Sequence, residues 1–184
     1  MKIILASQSP RRRQLLEEAG YDFEVIPPSP EAECGTCSGE SPAELVARLA
    51  TQKARDVAAN IEDGIVLGCD TVAECDGQVI GKPANEDHAR EILRRLRGRE
   101  HRVLSGVCLI RRPADTVQVD VDVTTLHMLA LSDEEIEEYL ETGLWEGKAG
   151  AFGLQDRIGW VDVIEGSKSN VVGLPMELLA SMLQ

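Results

Sequence analysis

The chain is expected to fold as an α/β protein around a mixed sheet, because βα units and long antiparallel strands occur in the same sequence. Near the start, the apolar run Ile3-Ile4-Leu5-Ala6 leads straight into a helix signal. In the middle, a buried-type strand follows a long amphipathic helix. Further on, His101 to Arg112 and Thr116 to Leu129 read as two long neighbouring strands, the second alternating as Val-Gln-Val-Asp-Val-Asp-Val with one wet face. At 184 residues the length suits one domain, at roughly 150 residues per domain.

In chain order, residues 2–6 form the first strand. Ser9 caps a helix with Pro10 at its first position, Leu15, Leu16 and Ala19 on its apolar face and Gly20 at its stop. Residues 22–27 read as a second strand, followed by a loop from Pro27 to Glu40. Ser41-Pro42-Ala43-Glu44 is a capping box that opens a helix with Leu45, Val46, Leu49, Ala50 and Ala54 at helical spacing. Gly64 to Asp70 reads as a strand ending on a carboxylate, and Asp76-Gly77 as a hairpin turn into Gln78-Val79-Ile80. Asn85 caps a helix bearing Ala89, Ile92, Leu93 and Leu96, which Gly98 ends. A second capping box, Ser132 to Glu135, starts a helix that runs to about Glu141. Gly147 to Gln155 is a glycine-rich loop, Trp160 to Ile164 a strand, and Pro175 to Leu183 a closing helix.

Composition narrows the function. With 32 acidic against 19 basic residues the net charge is −13, which disfavours nucleic acid as a partner, since such binding depends on Lys and Arg neutralising phosphates. No apolar run approaches the ~20 residues of a membrane span. The opening Met1-Lys2 and its short apolar run are too brief for a secretory leader, so a cytoplasmic location is expected. Five cysteines in such a chain are expected to be reduced thiols. Cys34 and Cys37 have C-x-x-C spacing but lack the second pair that a structural zinc site needs, so a mobile loop competes there with a metal or redox role.

Several residues suit anion and phosphate chemistry. Ser7, Ser9, Arg11 and Arg12 stand at a strand-to-helix junction, where free N–H groups and guanidinium donors favour an anion. Without one, arginines in a first turn oppose the helix dipole at about 0.3–1 kcal/mol each; a solvated basic turn is the plainer alternative. Asp70 suits a divalent cation or the deprotonation of a water. Lys82, in Gly81-Lys82-Pro83, is either a phosphate ligand or an exposed turn lysine. Lys53 sits near the apolar face of its helix, where snorkelling is the simpler account. Gln155 closes a Gly/Ala-rich stretch and can read a base edge, if that stretch is more than a connector. The arginines from Arg90 to Arg102 read as a solvated face. No triad, dinucleotide or zinc-protease motif occurs.

Five blocks, Ser7-Gln8-Ser9-Pro10-Arg11-Arg12, Gly68-Cys69-Asp70-Thr71, Gly81-Lys82-Pro83, Lys148 to Gln155 and Ser169 to Pro175, with Leu49 to Ala54 between them, together resemble the Maf family over essentially the whole chain. That resemblance implies an elongated, two-lobed α/β fold with a central cleft, similar to inosine triphosphate pyrophosphatases, spanning residues 1–184 as one domain, often as a homodimer. It also implies a nucleoside triphosphate pyrophosphatase that uses Mg²⁺ or Mn²⁺, with dTTP and UTP as substrates in the branch the Lys148 to Gln155 stretch resembles. Carried over by position, Ser9, Arg11, Arg12, Lys53 and Lys82 hold the triphosphate and Ser7 belongs to the same block. Asp70 binds metal or activates water, Glu33 assists it with Glu31 as the alternative, and Gln155 positions the nucleotide. A non-catalytic nucleotide-binding role in septum formation and cell division is the other reading the family allows. One departure stands out: Asp156 follows Gln155 where the family commonly has Gly, which is expected to alter loop geometry and base preference.

Overall fold

A computed structural model describes residues 2–32, 39–156 and 159–184. Its seven strands form one mixed sheet flanked by helices. The strands are β1 (Ile3–Ala6), β2 (Phe23–Val25), β3 (Gly64–Cys75), β4 (Gln78–Ile80), β5 (Glu100–Arg112), β6 (Thr116–Met128) and β7 (Val161–Glu165). The helices are α1 (Pro10–Glu18), α2 (Pro42–Ala58), α3 (Glu86–Leu96), α4 (Asp133–Glu141), α5 (Lys168–Val172) and α6 (Met176–Met182). The sheet order is β2-β1-β3-β5-β6-β7, with β4 added to β3. β1 runs parallel to β2 and β3, and the remaining pairs are antiparallel.

Local chemistry accounts for the element ends. Both predicted capping boxes form, at Ser41 with Glu44 and at Ser132 with Glu135, and Ser9 and Asn85 cap α1 and α3. The Asp76-Gly77 turn has φ of 53° and 76°, the paired left-handed geometry that joins hairpin strands tightly. The central strands are apolar on both faces. Ile3, Leu5, Leu67 and Leu109 pack with Leu16 of α1 and Leu179 of α6, while Ile4, Ala6, Val66 and Ile110 pack with Ala50, Ala54 and Val57 of α2. A further cluster joins the far end of β3 to α3, α4, Met128 and Ala151.

Three expectations are corrected. β3 does not end at Asp70 but continues to Cys75, because β5 keeps pairing with it as far as Glu74. Asp70 therefore lies within a strand. It is accessible because β1 stops opposite Gly68 and β4 begins opposite Ala73, which leaves residues 69–72 of β3 without a strand on that side among the described residues. Second, the alternation in β6 does not divide a wet face from a dry one: Val117, Val119 and Val123 are exposed, because α2, on the face they share, sits over β3 and β5 and of the β6 valines meets Val121 instead. Third, the Ser169 to Pro175 stretch, for which no element was expected, begins inside α5.

α2 lies directly on bare backbone. A Cβ built on Gly68 would stand 2.2 Å from Ala50 O, and one on Gly106 2.2 Å from Val46 O. Main-chain atoms cannot rotate away, so Gly106→Ala is expected to push α2 off the sheet. A cost of about 1–3 kcal/mol follows, or a fall in Tm of roughly 2–12 °C; a melting curve unchanged from wild type would contradict this packing.

Candidate functional site

The uncovered stretch of β3 opens into a cleft of about 400 Å³. It lies at the carboxyl end of β1, where the chain turns into α1. Ser7, Ser9, Arg11, Arg12, Lys53, Asp70 and Lys82 all line it, so the structure brings together seven of the predicted residues from four separate parts of the chain. Glu33, Cys34 and Cys37 lie outside the described residues, as does the side chain of Gln155, whose backbone is in a 3-10 turn at Leu154–Asp156. Glu31 is exposed in a short turn and is not part of the cleft lining.

Arg12 is the most constrained cation. It is buried, and its guanidinium donates from Nε to Gly173 O (2.8 Å), from NH1 to Ser7 Oγ (3.1 Å) and from NH2 to Thr71 Oγ1 (3.1 Å). One planar group thus ties α1 to β3 and to the residue that ends α5. All three acceptors are neutral, and no carboxylate pairs with Arg12 among the described residues. A buried charge without a counter-charge is costly, and an anion in the cleft would relieve that cost. Arg11 donates from NH2 to Gly147 O at 3.0 Å. Burial, and then the charge of Arg12, draw its pKa below the ordinary arginine value. Arg13, by contrast, forms an exposed pair with Glu17.

Lys53 does not snorkel. It is buried, and its Nζ lies 2.6 Å from Asp70 Oδ1, with both side chains largely shielded from solvent. The close approach of α2 over Gly68 and Gly106 makes that reach possible. Asp70 Oδ2 has no hydrogen bond among the described residues. Lys82 is exposed at the cleft and follows β4, with its segment held where Gly150 N donates to Gly81 O at 3.1 Å. The arginines of α3 and its exit are structural: Arg90 pairs with Glu86, Asp87 and Glu137, Arg94 and Arg97 with Asp133, and Arg102 with Glu74.

Several site residues carried no sequence signal beyond their place in a motif. Thr71 Oγ1 meets Ser105 Oγ at 2.8 Å and, with Arg12, converges on Gly173 O. Asn170 is fully buried and donates to Val103 O and Thr124 Oγ1, which anchors α5 to the sheet. Asp156 holds the glycine-rich stretch in place: it forms a buried ion pair with Lys148 and accepts from Tyr139 OH (2.7 Å) and Gly153 N (3.2 Å). Burial, and then Asp156, push the Tyr139 phenol well above its usual pKa, so it stays a donor. In this chain Asp156 is a carboxylate that closes the loop on itself.

The cleft is also lined by the apolar side chains of Ala73, Leu96, Val103, Leu126 and Phe152, together with His101 and the polar Gln8 and Thr71. One cleft combines a cationic region around a carboxylate with a hydrophobic region, which suits an amphipathic polyanion. A divalent cation fits the donor set in one way only. The described residues hold no group of three or more His, Cys, Asp or Glu, so no all-protein cage exists among them. A single carboxylate beside a cationic surface suits a hard, oxygen-seeking ion that takes its other ligands from a bound anion and water, as Mg²⁺ commonly does.

Comparison with known proteins agrees in kind. Residues 2–184 match the family described as "Maf-like protein". A dTTP/UTP pyrophosphatase of Rhodopirellula baltica is 56% identical over 183 residues, covering 99% of this chain and 81% of that one. One from Dictyoglomus thermophilum is 47% identical over 183 residues, covering 99% and 94%. Among solved structures, a HAM1 protein from Coxiella burnetii matches with a TM-score of 0.53 at 14% identity, covering 100% of this chain and 98% of that one. At that identity the likeness concerns the fold alone. No helix among the described residues is long and apolar enough to cross a membrane.

Proposed function

Because the chain belongs to the Maf-like protein family, we propose that it is a nucleoside triphosphate pyrophosphatase. It hydrolyses the α–β phosphoanhydride of dTTP and UTP, giving the nucleoside monophosphate and pyrophosphate. The observation that carries this reading is the convergence of Arg11, Arg12, Lys53 and Lys82 on one cleft with Asp70 among them. The names of the relatives supply the substrates.

In this reading the guanidinium groups at the start of α1 and the two lysines bind the triphosphate and offset the charge that builds on the departing pyrophosphate. Ser7 and Thr71 hold the Arg12 guanidinium in one orientation, so little reorganisation is needed when the anion arrives. Lys53 fixes Asp70 through Oδ1. The remaining oxygen is left to hold a cation or to take the proton of the attacking water, whose oxygen bonds to the α-phosphorus as the bond to the bridging oxygen breaks. Mg²⁺ or Mn²⁺, held by Asp70 and, by family resemblance, Glu33, would supply charge neutralisation and a more acidic water. Gln155 is assigned to nucleotide positioning on the same resemblance.

Pyrophosphate release from canonical and modified nucleoside triphosphates, with Mg²⁺ or Mn²⁺, tests the reading directly. Selective turnover of dTTP and UTP is expected. Tight nucleotide binding with no release would instead favour a non-catalytic regulator. Arg12→Lys offers a sharper check, because an ammonium cannot reach Gly173 O, Ser7 and Thr71 together. Loss of one charge-assisted contact predicts a KM for dTTP raised about tenfold to a hundredfold. Arg13→Lys serves as the silent control; equal effects from the two variants would remove Arg12 from the site.

A further inference from the structure

The hydrogen bonds that hold Arg12 reach past the cleft wall into β5. Ser105 lies there, directly opposite Thr71 of β3. It is fully buried, and its Oγ stands 2.8 Å from Thr71 Oγ1. The Ser105 hydroxyl makes no other hydrogen bond among the described residues, so it serves Thr71 alone.

The chemistry of the partners fixes which way each proton points. A guanidinium only donates and a carbonyl only accepts. Thr71 Oγ1 therefore accepts from Arg12 NH2 at 3.1 Å and gives its single proton to Gly173 O at 3.3 Å. With that proton committed, Thr71 meets Ser105 as an acceptor, and Ser105 is the donor. Gly173 O also takes the Arg12 Nε proton at 2.8 Å. Arg12, Thr71 and Gly173 thus close a ring of hydrogen bonds, and Ser105 supports it from behind.

Thr71 is the weak point of that ring. It is half-buried in the cleft lining, and without Ser105 its hydroxyl is free to turn toward the water there. A buried donor behind it opposes that turn, and by polarising the hydroxyl it strengthens the bond from Thr71 to Gly173 O. Building on the pyrophosphatase reading, we propose that Ser105 is a positioning residue for triphosphate binding: its hydroxyl locks Thr71, and through Thr71 it aims the Arg12 guanidinium at the phosphates. Arg12 meets only neutral acceptors in the protein. Held in one orientation, it keeps its remaining N–H groups for phosphate oxygens.

The test titrates inorganic tripolyphosphate into the full chain without added metal. This probe carries no base, so it reports on the phosphate-binding residues alone. Ser105→Ala is expected to bind it about threefold to tenfold more weakly than wild type, the effect of one hydrogen bond. In turnover of dTTP the same factor is expected in KM, with kcat kept within about twofold. A double-mutant cycle with Thr71→Val separates positioning from general loosening: Ser105→Ala is expected to add nothing once the Thr71 hydroxyl is gone. In the ¹⁵N spectrum of the ligand-free chain, the Arg12 Nε–H signal is expected to move in both single variants. Wild-type affinity in Ser105→Ala, additive losses in the cycle, or an Arg12 signal that Ser105→Ala leaves in place overturns the proposal. Should Ser105→Ala fail to fold, Thr71→Val decides by itself, since an unmoved Arg12 signal and unchanged affinity there leave Ser105 nothing to act through. Turnover of dTTP with a silent Ser105 defeats this inference alone. A wild-type chain that neither binds tripolyphosphate nor releases pyrophosphate defeats the pyrophosphatase reading as well.

Discussion

Asp70→Asn is expected to abolish most pyrophosphate release from dTTP, with kcat falling by about 10²–10⁴, the range for removing a group that moves a proton or holds the catalytic ion. The side chain keeps its shape, so the fold and the cleft should survive. The amide, however, is no longer an anion: it accepts a proton far less readily, binds a hard cation weakly and no longer balances the buried Lys53 charge. Nucleotide affinity measured without added metal should change much less than kcat. A variant with full turnover would remove Asp70 from the chemistry, whereas lost turnover with collapsed melting would mean that the Lys53 pair is chiefly structural.

Asp156→Asn is expected to carry the largest stability cost of any single change at the site. Its carboxylate and the Lys148 ammonium are almost wholly shielded, and the same carboxylate accepts from Tyr139 and from the Gly153 amide. Neutralising it leaves a buried cation without its counter-charge, at about 3–5 kcal/mol, or a loss of roughly 6–20 °C in Tm. Because Tyr139 packs against Trp160 with centroids 5.2 Å apart, and Phe152 against Trp160 at 6.3 Å, loosening this stretch should also raise tryptophan fluorescence changes ahead of the global transition. Lys148→Met in the Asp156→Asn background should recover part of the loss by removing the stranded charge. No recovery would mean that the Tyr139 and Gly153 contacts dominate.

Much of the fold could be read from the sequence because its signals are local. Caps at Ser9, Ser41, Asn85 and Ser132 and turns at Asp76-Gly77 and Gly98 are made by side chains and φ angles within a few residues. The site residues were legible in another way, through motif blocks that place cations and a carboxylate in order along the chain. What escaped depends on three-dimensional neighbours. Asp70 was expected at a strand end, and it reaches the cleft only because two other strands stop short of it. Lys53 looked like a snorkelling lysine because nothing local shows that two glycines let α2 approach the sheet. His101 matched no metal or triad spacing, and only packing shows it buried in the cleft wall. The valines of β6 satisfied a pattern for burial without an element to cover them.

The break in strand pairing along β3 also bears on solubility. A free strand edge invites a second chain to zip onto it, and proteins commonly blunt that hazard by keeping such edges very short. Here the uncovered run spans only residues 69–72, stopped at one end by β1 and at the other by β4. It is too short to template another strand, so this recess can keep main-chain groups open to a small molecule without inviting a second chain, a hazard left instead to the outer part of β6, whose edge is unpaired from Thr116 to Thr124 among the described residues.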